Sequence, residues 1–178
     1  MGDPYFAVEL ARPGSIASFE TGVRVPLMTD ESGAVFPAFF TDLDRYEAFG
    51  RRILSVWGIA QLRSAPSASG VRTSARLGFV HRRFVGEDAG ADPTNNNMVY
   101  ALMLGGQFQP VWLDLGVSGR LIMSELDEGL GRATIKQLGA SARVQLGKLM
   151  PGVQFRMPLE DELRGEIFSL GLSLEWQY

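Results

Sequence analysis

The sequence predicts an all-β fold: one domain over residues 1–178, folded as an antiparallel up-and-down transmembrane β-barrel of 8 strands, up to 10. Three observations predict it. Apolar and polar residues alternate at every second position in segment after segment, as successive side chains of a strand point to opposite faces. Several of these runs far exceed the roughly five or six residues usual for soluble strands, and reach the roughly 9–11 that a tilted membrane-crossing strand takes. Short and long connections alternate through the C-terminal half, the pattern of short periplasmic turns and longer extracellular loops.

From the N-terminus, segment 4–12 reads as extended. In 15–28, Ala17, Phe19, Val23, Val25 and Leu27 alternate with Ser18, Glu20, Gly22 and Arg24. Segment 34–41 is extended too, but Pro37 has no N–H for a ladder and demotes it to an irregular or edge strand. Thr41 to Arg52 reads as a loop or a helical turn. Segments 51–64 and 71–85 follow; in the second, Ala75, Leu77 and Phe79 alternate with Arg72, Ser74, Arg76 and Gly78. Gly86 to Asn97, with Asp92-Pro93 and a run of asparagines, reads as a long polar loop.

The C-terminal half is the clearest. Val111, Leu113, Leu115, Val117, Leu121 and Met123 alternate with Asp114, Gly116, Ser118 and Arg120. Leu138, Ala140, Ala142, Val144 and Leu146 alternate with Gly139, Ser141, Arg143 and Gln145. Val153, Phe155, Met157 and Leu159 alternate with Gln154 and Arg156. Phe168, Leu170, Leu172, Leu174, Trp176 and Tyr178 alternate with Ser169, Gly171, Ser173, Glu175 and Gln177. Gln109-Pro110 and Lys148 to Gly152 are short turns; Ser124 to Arg132 and Glu160 to Gly165 are longer loops.

Which face turns inward follows from bulk. A barrel of about eight strands has room inside only for side chains. The polar face is rich in Gly, Ser and Ala; the apolar face carries the large Leu, Phe, Trp and Tyr side chains, which lipid covers when they point outward. Charges inside are costly unless paired. Glu20, Arg24, Arg72, Arg76, Asp114, Arg120, Arg143 and Glu175 all fall on the polar face and are expected to form an interior charge network. Trp57, Trp112, Trp176, Tyr5, Tyr100 and Tyr178 are candidates for aromatic girdles, with Trp112 on the polar face by parity and suited to plugging a barrel end.

The ending Ser169 to Tyr178 resembles the C-terminal assembly signal of bacterial (Gram-negative) outer-membrane β-barrels, with Gly171, Leu174, Trp176 and the terminal Tyr178 at its characteristic positions. The resemblance implies insertion by the barrel-assembly machinery, which reads this last strand. It also implies contact with outer-membrane lipid or lipopolysaccharide. Such a protein is exported, and Met1-Gly2-Asp3-Pro4-Tyr5 lacks the basic region and apolar segment of a signal peptide. The sequence is therefore expected to be a mature form with an added Met.

Chemistry-bearing motifs are sparse. There is no cysteine and one histidine, so neither thiolate chemistry nor a multi-histidine metal site is expected. A net charge of −3 leaves no nucleic-acid footprint. No apolar run reaches the roughly 18 residues of a transmembrane helix. Some outer-membrane lipid A deacylases place a serine two residues after a catalytic histidine; here Arg83 stands there, and parity puts His81 on the lipid side. Arg82 and Arg83 beside it could meet lipopolysaccharide phosphates at the rim. Asp42, Asp44 and Glu47 lack the spacing of a calcium loop, and Glu125, Asp127 and Glu128 read as an acidic solvated loop. No metal, cofactor or catalytic set is expected. The reading is a small structural or lipid-interacting barrel, or a narrow pore lined by arginine. The alternatives are a soluble β-barrel holding an apolar ligand inside and an outer-membrane lipid-modifying enzyme.

Overall fold

A computed structural model describes residues 4–12, 14–27, 52–64, 70–85, 94–161 and 163–176. Among them nine strands form a single sheet in strictly sequential order. They are β1 Tyr5–Ala11, β2 Ala17–Arg24, β3 Ile53–Arg63, β4 Val71–Phe84, β5 Thr94–Phe108, β6 Val111–Ile122, β7 Thr134–Val144, β8 Leu149–Pro158 and β9 Ser169–Trp176. Every neighbouring pair is antiparallel. The fold is thus an all-β up-and-down meander with almost no helix; a 3₁₀ turn at Met123–Glu128 and a single helical turn at Leu130–Ala133 join β6 to β7.

Each predicted segment supplies a strand except 34–41, which lies outside the described residues, as do all but the last residue of the Thr41 to Arg52 stretch. With β5, the described residues hold nine strands, inside the expected range of eight to ten. Two boundaries are corrected: Leu149 to Gly152 open β8, paired with β9, rather than belonging to a turn, and Asn95 to Asn97 stand inside β5, paired with β4 and β6, rather than in a loop. Their amides are held by hydrogen bonds along the strand end, Asn95 Nδ2 donating to Ser124 Oγ at 2.7 Å and Asn97 Nδ2 to Asn95 Oδ1 at 3.1 Å. Asparagine's usual preference for turns is overridden by those partners.

The connections sort by end. At one end lie the short ones: β1 to β2, β3 to β4, Gln109-Pro110 between β5 and β6, and the turn between β7 and β8. In that last turn Leu146 and Leu149 exchange both backbone hydrogen bonds, at 2.8 and 3.1 Å, and Gly147 takes a φ of 65°. A left-handed first residue matches the twist of the flanking strands, and glycine adopts it without steric cost. At the other end lie the long connections, 25–52, 85–93, 123–133 and 159–168.

The register makes the two faces uniform. Rows of paired residues on one face run, for example, Arg72, Gly105, Asp114, Ser141, Gln154, Gly171 across β4 to β9. The next row on the other face runs Val71, Gly106, Leu113, Ala142, Val153, Leu172. In these rows polar residues and glycine share the first face and aliphatics the second; farther along the strands the first face also takes Trp57, Ile59, Val80 and Val99. β9 does not pair with β1 among the described residues, and the sheet has two open edges.

Candidate functional site: the charged face of the sheet

Burial is inverted relative to a water-soluble sheet. The polar face holds the buried residues: Arg120 and Asn97 are fully buried, and Arg24, Arg82, Gln137 and Ser55 nearly so. The apolar face is the exposed one, with Leu102 60%, Leu170 74% and Leu172 90% exposed. Most leucines and phenylalanines thus point away from the enclosed face, where glycine, serine and alanine sit among buried arginines and isoleucines.

Toward the short-turn end the enclosed face carries a charge chain across four strands. Asp114 of β6 accepts hydrogen bonds from Arg72 of β4, with Nη2 at 2.8 and 3.1 Å from its two oxygens, and from Arg143 of β7 at 3.0 Å. Ser141 Oγ donates to the same carboxylate at 3.2 Å. Arg143 continues to Glu175 of β9 at 3.1 Å. A planar guanidinium meets a carboxylate in a fork of parallel bonds, the strong form of this interaction. The Arg72 guanidinium also lies over the Trp112 ring, 4.8 Å from its centre. Glycine makes room for the chain: a Cβ at Gly105 would strike the Asp114 carboxylate and the Arg72 side chain, and one at Gly152 would meet Arg143 Cγ at 2.6 Å. The Gly105-Gly106 pair is thus a close-packing site; the ladder runs through it without a bulge. Beside the chain is a polar hollow of about 450 Å³, lined by residues including Gln61, Arg63, Ser74 and Met103.

Toward the long-connection end the enclosed face is packed differently. Ile59, Val80 and Val99 form a buried apolar cluster with Trp57 against it. Trp57 Nε1 donates to Glu20 at 2.8 Å, and the Arg24 guanidinium lies 5.8 Å from the centres of both the Trp57 and Tyr5 rings. Gly22 leaves the space the Trp57 ring fills, and Gly78 the space of Ile59. Trp57 and Tyr5 are therefore corrected from candidate girdle positions to the enclosed face, level with Gly22 and Arg24 respectively. Tyr100 belongs to the apolar face, its ring lying over Gly119, and Trp176 is exposed there.

Of the expected network residues, Arg72, Asp114, Arg143 and Glu175 are linked directly. Glu20 and Arg24 meet instead at Trp57. Arg76 stands in the row of Gln61 and Ala101, and Arg120 in the row of Ile59 and Val99, each on the enclosed face with further interactions of its own. Gly171 pairs with Gln154, and Leu174 and Trp176 project from the exposed face of β9; Tyr178 lies outside the described residues. His81 is on the apolar face, level with Val56, with Nδ1 2.8 Å from Asn96 Oδ1. Asp42, Asp44 and Glu47 lie outside the described residues, among which no group of three metal-binding side chains occurs. No helix among them is long and apolar enough to cross a membrane, which leaves strands untouched by that test.

Sequence reasoning missed the roles of Trp57 and Ser141. The alternation around Trp57 is blurred, because apolar residues occupy both faces of β3; the signal that could have placed it is its even spacing from Ser55 and Ile59.

The apolar face has two adjoining clefts. One, of about 510 Å³, lies over Gly106, Ala140 and Ala142 between Leu104, Val153 and Phe155; the other, of about 560 Å³, is lined by Leu62, Ala75, Leu102 and Val117. Comparison with protein-family models, with curated proteins and with solved structures gives no match to this chain.

Proposed function

We propose that the chain is a small bacterial outer-membrane β-barrel with a structural or lipid-interacting role. Its apolar face lies against acyl chains, and its polar face forms an interior too filled for a wide channel. The inverted burial carries this reading. Fully buried Arg120 and Asn97 sit on one face while large aliphatics cover the other from β1 to β9. Soluble monomers rarely expose contiguous apolar patches beyond a few hundred Å². A wall of this kind in water would be an aggregation surface, whereas in lipid it is the solvent-matched side. Strands of 14 and 15 residues in β4 and β5 have the reach to cross a bilayer with tilt. The partners on this reading are lipid or lipopolysaccharide along the outer face and the assembly machinery at β9. The inverted alternative, a soluble barrel with an apolar ligand inside, needs the leucine-rich face enclosed, and it is the exposed face here.

The test is fold against solvent. The purified chain is expected to give a β circular-dichroism spectrum and a heat-sensitive gel mobility only in detergent or lipid. A folded, monodisperse protein in plain buffer overturns the proposal. Leu102→Arg sharpens the test, because Leu102 is mid-strand on the apolar face. An arginine facing the bilayer midplane costs about 2–4 kcal/mol, while the same change on a wetted surface stays within about 0.5 kcal/mol.

A further inference from the structure

Among the described residues the sheet ends in two edges, β1 and β9. β1 and β9 are separated by eight antiparallel steps and so run in the same direction. A row traced straight across from Ala11 passes Ser18, Gln61, Arg76, Ala101, Ser118, Gln137 and Pro158, and ends level with Ile167, short of β9. By the same rows, Ser169 stands level with the position two beyond Ala11. Bringing Ser169 beside Tyr5 therefore takes an offset of about eight residues.

We propose that β1 and β9 pair with each other in parallel, Tyr5 beside Ser169 and Ala11 beside Glu175, and that this pair is the seam of the barrel. The proposal refines the barrel reading above and rests on it. Closing a sheet into a barrel demands a stagger between its edges, and an eight-stranded parallel barrel has a shear of 8 with strands tilted about 36°. An offset near eight over nine strands is of that size. It is also the even offset that overlaps the two strands over their whole length, the seven residues of β1 against the eight of β9. An odd offset would turn one edge inside out. With this one, Tyr5, Ala7, Glu9 and Ala11 join Ser169, Gly171, Ser173 and Glu175 on the polar face. Phe6, Val8 and Leu10 join Leu170, Leu172 and Leu174 on the apolar face. The carboxylates of the two edges are already engaged from behind, Glu9 by Arg63 of β3 at 3.9 Å and Glu175 by Arg143 of β7 at 3.1 Å. A second copy could cap both edges antiparallel, but that ring of about eighteen strands would enclose an aqueous lumen. The complete burial of Arg120 and Asn97 speaks for the tighter, single-chain closure.

The chain has no cysteine, so engineered pairs report unambiguously. Val8→Cys with Leu172→Cys places two thiols side by side at the seam, where adjacent strands lie about 4.8 Å apart and a disulfide spans Cα separations of about 4.4–6.8 Å. Val8→Cys with Trp176→Cys is the control, out of register by four residues or about 13 Å. The inward pair Ala7→Cys with Gly171→Cys serves if the outward pair fails to fold. Each is oxidised in detergent and run unheated and heated without reductant. The expected result is an intramolecular link in most of the 8/172 protein, reversed by reductant, and little in the 8/176 control. Three results overturn the seam: no link in either in-register pair while the heat-sensitive band persists, preferential linking of 8/176, or disulfide dimers from Val8→Cys alone. A link formed in plain buffer by protein without a heat-sensitive band keeps the seam and removes the membrane.

Discussion

The enclosed face has two ends that solve one problem in opposite ways. Near the short turns it is held by charge, with Asp114 gripped by two arginines and Arg143 passed on to Glu175. Near the long connections it is held by shape, with Trp57, Ile59, Val80 and Val99 filling space that Gly22 and Gly78 leave open. The charged end stays partly open, its arginines 34% and 21% exposed, beside a polar hollow. The packed end is the more closed, and it buries Arg24, Arg82 and Arg120 along with its apolar cluster. Partly exposed ion pairs lose less in desolvation, and close packing shuts the end where the cations are buried.

The two ends should break differently. Asp114→Ala leaves Arg72 and Arg143 facing each other without their shared carboxylate, and removing one partner of an enclosed pair costs about 3–5 kcal/mol. Denaturant unfolding from lipid or detergent should show this as the largest loss, and a loss below about 1 kcal/mol would mean the chain of charges is ornamental. Ile59→Ala at the packed end should cost about 2–4 kcal/mol by loss of contact and residual cavity. Unlike Asp114→Ala, its effect should not change with ionic strength in the same unfolding assay. Gly22→Ala should cost about 1–3 kcal/mol, because its Cβ meets both the Trp57 ring and the Phe6 carbonyl. A fluorescence shift of the tryptophans should accompany it. Glu175→Gln should be mildest, under about 1 kcal/mol, since Glu175 is half exposed and Asp114 still holds Arg143. A loss equal to that of Asp114→Ala would place the keystone at β9 instead.

Face assignment was legible in the sequence because it is local. Leu113, Leu115 and Val117 alternate with Asp114, Gly116 and Ser118 whatever their neighbours do, and the same parity holds in β4, β7 and β9. Partnership was not legible. Arg72 reaches Asp114 across 42 positions and Trp57 reaches Glu20 across 37. Those meetings depend on where each hairpin turns, and a shift of two residues keeps every face while changing every pair. Arg120 and Arg76 read alike in the sequence, yet Arg120 is fully buried. Depth depends on what the sheet's curvature brings over a position, which no single strand records. Asn95 to Asn97 misled for a related reason: their composition signals a turn, and only the ladder to β4 and β6 shows them as strand.

The sorting of connections by end has a consequence for how the molecule can change. One end of the sheet is bound to hairpins such as Gln109-Pro110, with almost no length to gain or lose without dislocating the register. The opposite end joins the four long spans, and changes in their length leave every described strand pair in place. Ladder and long spans are thus separable inheritances: a lineage, or an engineer, can rewrite the spans and keep the same nine described strands beneath them.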